Sequence, residues 1–250
     1  MSSLPGSIAR HWFGTWAVSR RELYAYLVSP MAYAVASVFL LVNGFIFFLI
    51  LAQGFAEANL KAILPTTAFL LLLVIPVLTM RLVAEERSTG TIELLMTFPL
   101  SDAQVVVGKF LATLLTYALM LVPTLASVLI IVIYGATEWG PIMSAYIGLL
   151  LLGGAFISLG LFASSLAGRN QIVAAILGIG LLLMLWVLGS GASVLGPRLS
   201  PIVGYLSLAE HFQNFGLGVL EVKDVVYYLS VMAGCLFLTT RVVESGRWRA

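Results

Sequence analysis

The organisation of this chain is set by residues 81–102, Arg81-Leu-Val-Ala-Glu-Glu-Arg-Ser-Thr-Gly-Thr-Ile-Glu-Leu-Leu-Met-Thr-Phe-Pro-Leu-Ser-Asp102. This polar insert separates two long apolar stretches that carry no charge. The whole chain of 250 residues is 61% hydrophobic and only 10% charged, a composition typical of membrane proteins. Its net charge of +2 and its dispersed basic residues argue against nucleic-acid binding. We therefore predict a polytopic membrane protein with a concentrated polar insert.

Six stretches lack charged residues and histidine and approach the roughly 20 residues that a helix needs to cross a bilayer. They are residues 30–51, 62–80, 110–134, 141–166, 171–194 and 225–240. Because lipid offers no partner to a free backbone N–H or C=O, each stretch is expected to be a helix. The fold class predicted is all-α with six transmembrane helices, of which the last is short.

The distribution of basic residues predicts the orientation. With both termini in the cytosol, ten Lys and Arg residues lie on the cytosolic side and only Lys61, Arg198 and Lys223 lie outside. Cytosolic loops of membrane proteins carry such an excess of Lys and Arg. We expect a multi-pass protein of a bacterial cytoplasmic (inner) membrane with both termini in the cytosol.

Residues 1–29 are expected to form an amphipathic helix at the membrane interface, ahead of a transmembrane domain over residues 30–250. Ile8, Trp12, Trp16, Leu23, Tyr24 and Leu27 recur at helical spacing, and the polar face carries Arg10, Ser19, Arg20, Arg21 and Glu22. Proline disfavours helical geometry in the residue before it, so Ser29-Pro30 is expected to end this helix. The helix is either a topological anchor or a contact for a partner.

The insert itself contains a short helix. Glu85 and Glu86 continue the second span beyond the membrane, Ser88-Thr-Gly90 breaks it, and Ile92, Leu95 and Met96 then form a two-turn apolar stripe. Phe98-Pro99 stops this helix, and Ser101 with Gln104 has the spacing of a capping box that begins the third span. A two-turn helix is unstable alone in water, so it docks on the membrane domain or on a cytosolic partner unless it is a plain connector.

The spans offer no visible source of energy. Pumps and ion-coupled carriers place ionisable residues inside the bilayer, and none lies in the six stretches. Asn43 either lines a pathway or bridges helices. Glu210 and His211 could touch substrate or metal outside, although we favour a buried hydrogen-bonding pair between them. We expect no catalytic residue and no metal site, which leaves an undriven channel or a protein powered by a partner.

Three segments carry a resemblance to a known family. The run Glu85-Glu-Arg-Ser-Thr-Gly-Thr-Ile-Glu-Leu-Leu-Met-Thr-Phe-Pro-Leu-Ser-Asp-Ala-Gln-Val-Val-Val-Gly-Lys109 closely resembles the signature of type-2 ABC exporter permeases. Arg21-Glu-Leu-Tyr-Ala-Tyr-Leu-Val-Ser-Pro30 and Tyr205-Leu-Ser-Leu-Ala-Glu-His-Phe-Gln-Asn-Phe-Gly216 most resemble the gliding-motility-type branch. The copper-maturation type of permease is similar as well.

The resemblance implies a dimer of permease subunits, identical or homologous, bound to two copies of an ABC ATPase. It implies that this chain binds no cofactor and that ATP and Mg²⁺ lie on the ATPase, in keeping with the absence of a Lys-Ser or Lys-Thr phosphate-binding loop. It further implies a re-entrant outer segment before the sixth span, containing Glu210 and His211, and room for a periplasmic or membrane-anchored accessory protein. The residues it assigns to a cytosolic coupling helix and its entrance are Glu85, Glu86, Arg87, Gly90, Thr91, Glu93, Leu94 and Leu95.

Overall fold

A computed structural model describes residues 4–52, 60–90, 101–134, 139–192 and 196–247, which are helical almost throughout and contain no strand. The helices are α1 (Leu4–Val28), α2 (Pro30–Ala52), α3 (Leu60–Thr79), α4 (Arg81–Thr89), α5 (Asp102–Leu121), α6 (Leu125–Tyr134), α7 (Trp139–Leu166), α8 (Gln171–Ala192), α9 (Gly196–Tyr205), α10 (Leu208–Gly216) and α11 (Val222–Arg247). A 3-10 turn, Val122–Thr124, joins α5 to α6. The predicted all-α class is confirmed.

Six helical stretches in these ranges are long and apolar enough to cross a membrane, as predicted. We number them spans 1 to 6: Pro30–Ala52, Ile63–Thr89, Asp102–Ile133, Trp139–Leu166, Gln171–Gly191 and Val222–Ser245. Span 3 begins at the predicted capping box, ahead of the charge-free stretch 110–134, and span 6 begins ahead of the stretch 225–240, so Lys109 and Asp224 both lie within helices. The charge-free stretches exclude these two residues, yet both side chains are buried inside the bundle.

Span 4 is the central helix of the bundle. It packs against spans 2, 3, 5 and 6 and is the most buried of the six. Small residues along it allow this close approach, because Gly153 lies against the Tyr117 ring of span 3 and Gly160 lies against Thr79 of span 2. Spans 1, 5 and 6 leave most of their apolar side chains exposed or half-buried, as expected of surfaces that face lipid.

Span 2 is interrupted at Met80, where a hydroxyl group from span 4 enters its hydrogen-bond ladder. Ser164 Oγ donates to the Met80 carbonyl oxygen at 3.0 Å and accepts from the Val83 and Ala84 N–H groups, each at 3.2 Å. An inserted side chain of this kind is a recognised cause of helix kinks. The interruption separates α3, inside the bundle, from α4, which leads to the polar insert.

The two ends of the bundle differ. At one end, which we call the insert end, α4 finishes and span 3 begins. At the other, the hairpin end, α9 and α10 form a helical hairpin between spans 5 and 6, and Ser207 Oγ caps α10 by accepting from the Glu210 N–H at 3.4 Å. The hairpin packs on spans 4 and 5, and Ser144 Oγ donates to the Phe215 carbonyl oxygen at 3.1 Å. The chain therefore enters and leaves the hairpin at the same end of the bundle, whereas a re-entrant position in the outer leaflet stays a prediction.

Candidate functional site

The insert end is built on a close contact between α1 and span 3. Gly108 makes this contact possible: an added Cβ would lie 2.9 Å from the Val18 Cβ and 3.0 Å from the Thr15 carbonyl oxygen. Val18, Thr15 and Ser19 of α1 are accordingly buried. The helix is therefore part of the packed bundle and not an appendage beside it.

The packed face of α1 is not the apolar face that its sequence pattern picks out. Trp16, Tyr24 and Leu27 are exposed in this chain, while Ser19, which the pattern places on the polar face, is buried against the bundle. A helix at a membrane interface can turn its large apolar side chains to lipid and pack its small and polar side chains on protein. The sequence pattern identified the two faces correctly but did not identify which one contacts the bundle.

A buried lysine joins three elements at this end. Lys109 on α5 has only 3% of its side chain exposed, and its Nζ lies 2.7 Å from Glu86 Oε1 on α4 and 3.1 Å from Glu22 Oε1 on α1. Arg21 completes the cluster, with Nη2 at 3.0 Å from the Glu22 carboxylate and 3.4 Å from that of Glu86. We call these four residues the Lys109 cluster. It ties both flanks of the insert to α1.

The Lys109 cluster contains two cations and two carboxylates, so its formal charges balance. Burial of unpaired charge is costly, but a buried ion that is paired and hydrogen-bonded regains much of that cost from its partners. Removal of Lys109 would therefore take the buried cation away from two carboxylates that are themselves largely buried. This makes the cluster sensitive to any movement that separates α1, α4 and α5.

Further polar contacts fix α4 beside the cluster. Arg81 pairs with Glu85 in a bidentate geometry, with distances of 2.6 Å (Nε to Oε2) and 2.8 Å (Nη2 to Oε1). Arg87 Nη1 donates to the Ser165 carbonyl oxygen of span 4 at 3.0 Å. Tyr26 of α1 donates to the Leu78 carbonyl oxygen at 2.9 Å, and burial raises the pKa of its phenol, so it remains a neutral donor. A cleft of about 550 Å³ opens between α1 and α4 and is lined by the charged groups of both helices.

The two ends of the insert have the local geometry that the sequence predicted. Gly90 ends α4 with a φ of 73°, a left-handed conformation that glycine adopts without strain. Ser101 and Gln104 form the predicted capping box, with Gln104 Oε1 accepting from the Ser101 N–H at 2.8 Å. The predicted coupling residues Thr91, Glu93, Leu94 and Leu95 lie outside the described residues, as does the apolar stripe over residues 92–96.

Comparison with known proteins gives the family. A model described as "ABC-2 family transporter protein" matches residues 32–239, most of the chain. The chain belongs to the ABC-2 transporter family. Together with the six apolar spans, this makes it a multi-pass membrane permease of the ABC transporter class. A comparison with curated proteins finds no match.

In this ABC-2 permease the predicted coupling residues do not form one contiguous patch on α4. Glu86 faces the Lys109 cluster, Glu85 pairs with Arg81, and Arg87 contacts the end of span 4. Glu86 and Arg87 thus attach α4 to its neighbours, whereas the pair of Glu85 with Arg81 lies within α4. Gly90 lies beyond them and is the last described residue before the gap at residues 91–100.

Asn43 bridges two helices of the permease. It is buried, and its Nδ2 donates to Thr67 Oγ1 of span 2 at 2.8 Å. The adjoining cavity, between spans 1, 2, 3 and 4, measures about 20 Å³, close to the space needed for one water molecule. The described geometry is that of a helix-bridging amide; a role in a pathway stays a prediction.

At the hairpin end, Glu210 and His211 do not pair with each other. His211 is buried and its Nδ1 lies 2.6 Å from Asp224 Oδ1 of span 6. Glu210 is largely exposed, with its carboxylate beside Gly189 and Gly204. Adjacent residues on a helix point in different directions, which explains why the expected pair does not form.

Sequence reasoning missed three residues that organise the two ends of the permease: Glu22, Lys109 and Asp224. Glu22 was placed on the polar face of the N-terminal helix, Lys109 was counted with the cytosolic basic residues, and Asp224 was placed before the sixth apolar stretch. One signal was available, because Lys109 and Asp224 sit one residue before their apolar runs and within helical spacing of them. No signal in the chain indicated which partners they would meet.

Proposed function

We propose that this chain is the permease subunit of an ATP-driven exporter, and that a separate ATPase drives it through the insert at residues 81–102. The observation that carries the proposal is the Lys109 cluster. Because Lys109 is bonded to both Glu86 and Glu22, a force applied to the insert acts on spans 2 and 3 and α1 together. Such rigid attachment is what transmission of a partner's movement into a membrane bundle requires.

In this proposal the coupling helix begins after Gly90, and Glu93, Leu94 and Leu95 dock in a groove of the ATPase. ATP and Mg²⁺ are held by two ATPase copies and not by this chain. A second permease subunit, identical or homologous, completes the membrane part, and a periplasmic or membrane-anchored protein is an accessory. The resemblance of the N-terminal and hairpin segments supports the gliding-motility-type branch and a bacterial inner membrane.

The docking step is tested by Glu93→Arg and Leu95→Asp in the full chain, expressed with its ATPase. Each variant should weaken association with the ATPase by about 2 kcal/mol or more, roughly thirtyfold, because each reverses or inserts a charge at the proposed contact. The measurement is the amount of ATPase that copurifies, together with its rate of ATP hydrolysis. Glu244→Arg, an exposed charge reversal on span 6, is the matched control.

Unchanged copurification and unchanged hydrolysis in both insert variants would contradict the proposed role of the insert. Loss of ATPase in the Glu244→Arg control to the same degree would show a general effect of charge. Thermal unfolding of the isolated permease should be the same for all three variants, because the proposal assigns Glu93 and Leu95 to the ATPase contact and Glu244 is exposed.

The proposed orientation has its own test. In a Cys235→Ser background, a cysteine at Ser101 should react with an impermeant thiol reagent only from the cytosolic side, and one at Val219 only from outside. Both positions are exposed in the structure and lie at opposite ends of the bundle. Labelling of Ser101→Cys in intact cells would reverse the orientation and remove the insert from reach of a cytosolic ATPase.

A second candidate is a subunit that passes force to envelope proteins without moving cargo. The tight packing around Asn43 favours it, because the cavity there has space for about one water molecule. Reconstituted vesicles separate the two candidates. Export predicts ATP-dependent accumulation of a lipid-linked or peptide-like cargo, whereas force transmission predicts ATP-dependent change in a bound accessory protein with no accumulation.

A further inference from the structure

A buried polar cluster at the hairpin end joins α10 to span 6. His211 of α10 contacts Asp224 through Nδ1 at 2.6 Å, and Asn214 Nδ2 donates to the other carboxylate oxygen at 2.8 Å. Asp224 has no exposed surface, and His211 is only 6% exposed. Two tyrosines of span 6 add bonds, since Tyr227 and Tyr228 donate to the Leu206 and Leu208 carbonyl oxygens.

The two ring nitrogens of His211 both face acceptors. Nδ1 faces the Asp224 carboxylate, and Nε2 lies 3.0 Å from the Tyr205 carbonyl oxygen, which can only accept. A neutral imidazole carries one N–H group and therefore cannot donate to both. With an ionised Asp224, one of these two short contacts would bring lone pairs together in a buried site.

Both short contacts become hydrogen bonds when the pair holds one additional proton. Either His211 is an imidazolium that donates to both acceptors, or Asp224 is protonated and donates to Nδ1 while Nε2–H donates to Tyr205. The two arrangements differ only in the position of one proton along the bond. In each of them the pair is electrically neutral, which suits its complete burial.

We propose that His211 and Asp224 form a proton-binding site, and that the bound proton fastens the hairpin to span 6. The ring of Tyr227 supports the proton-loaded form, because it stacks on His211 with centroids 3.9 Å apart and a cation is attracted to an aromatic face. This site is independent of the proposed ATPase contact, which lies at the insert end.

Among the described acidic side chains near His211, Asp224 is the one that contacts its ring. Tyr205 of α9 and Tyr228 of span 6 approach the ring edge-on, and Tyr227 covers its face. On α10 itself, the Glu210 carboxylate lies against Gly189 and Gly204, and at the start of span 6 Glu221 pairs with Lys223. Neither acid is bonded to the imidazole among the described contacts.

The direction of the pH effect follows from the proton count. In the docked hairpin, His211 and Asp224 hold one proton between them. When the hairpin is undocked, both side chains are solvated and bind that proton less tightly, so the proton favours the docked state. As the pH rises, the proton is lost, one contact of the ring becomes repulsive and a negative charge stays buried on Asp224. The hairpin should therefore detach more readily at higher pH.

Labelling of a position beneath the hairpin measures this directly. Ser144 of span 4 is covered by α10, so in the full chain with Cys235→Ser we use Ser144→Cys as reporter and the exposed Val219→Cys as reference. The ratio of their reaction rates cancels the intrinsic pH dependence of the thiol. Between about pH 5 and about pH 9, where histidine sites commonly titrate, this ratio should rise about tenfold.

Asp224→Asn is the decisive variant. Its amide can donate to His211 Nδ1 and accept from Asn214, which reproduces every hydrogen bond of the proton-loaded site without a titratable acid. The labelling ratio of this variant should stay low and flat over the same pH range. A flat ratio in the parent protein, or the same rise in Asp224→Asn, would overturn the proposal.

A second measurement does not depend on that variant. The chain has two histidines, so His11→Gln leaves His211 as the single source of imidazole ¹⁵N signals. These signals should change over the same pH range as the labelling ratio. A ratio that rises while the ¹⁵N signals remain constant would assign the opening to another group and exclude His211 and Asp224 as the proton-binding site.

Discussion

Lys109→Met should lower the free energy of unfolding by about 3–5 kcal/mol, the cost observed when one partner of a buried ion pair is removed. The variant removes the buried cation from the Glu22 and Glu86 carboxylates, each about 85% buried, while the cation that remains in the Lys109 cluster, Arg21, is largely exposed. Methionine fills a volume similar to that of lysine, so the loss should come from charge and not from a cavity. Reversible unfolding in mixed micelles measures it.

Two comparisons isolate the electrostatic effect. Adding Glu22→Gln and Glu86→Gln to Lys109→Met should restore most of the lost stability, because no unpaired charge then remains buried. Arg241→Met removes a cation from an exposed pair with Glu244 and should cost less than about 1 kcal/mol. Equal losses for Lys109→Met and Arg241→Met would show that the Lys109 cluster contributes nothing beyond a surface ion pair.

Gly153→Val should be strongly destabilising, because it adds a side chain at a close contact within the apolar core. Even one added carbon at this position would overlap the ring of Tyr117, which is completely buried and donates to the Leu149 carbonyl oxygen at 2.7 Å. Overfilling a packed core costs about 1–3 kcal/mol, and here the ring can relax only by giving up its hydrogen bond as well. We expect spans 3 and 4 to separate and the unfolding midpoint to fall.

Gly180→Val is the matched control, because it introduces the same side chain into span 5 at a position with no heavy atom within 4 Å. Any effect of valine on the helix itself is common to both variants. Unfolding of Gly180→Val should therefore stay close to that of the parent chain. If Gly153→Val is equally well tolerated, the contact between spans 3 and 4 is looser than the structure indicates.

The sequence predicted the parts of this fold that depend on local chemistry. The break at Ser29-Pro30, the left-handed Gly90 and the capping box of Ser101 and Gln104 all occur where their residue types require. The number of spans was also predictable, since a bilayer imposes a length and a polarity on each helix. These features can be predicted without knowing which helices pack against one another.

The features that sequence reasoning missed depend on packing between distant segments. Lys109 looked like a border charge because its partners lie 87 and 23 residues away, on α1 and α4. Asp224 meets His211 only because α10 folds back against span 6. The face by which α1 packs on the bundle was not predictable for a similar reason: Gly108, on another helix, decides which side of α1 fits.

The hydroxyl of Ser164 gives span 2 a property that an unbroken helix lacks. An ordinary helix bends inside a membrane only by breaking backbone hydrogen bonds, and lipid supplies no replacement for them. At Met80 the protein supplies the hydrogen bonds that lipid cannot. Ser164 Oγ donates to the Met80 carbonyl oxygen and accepts from the Val83 and Ala84 N–H groups. The interruption between α3 and α4 consequently leaves none of these three backbone groups without a partner, so span 2 is broken next to the insert without the loss of hydrogen bonds that such a break would otherwise cause.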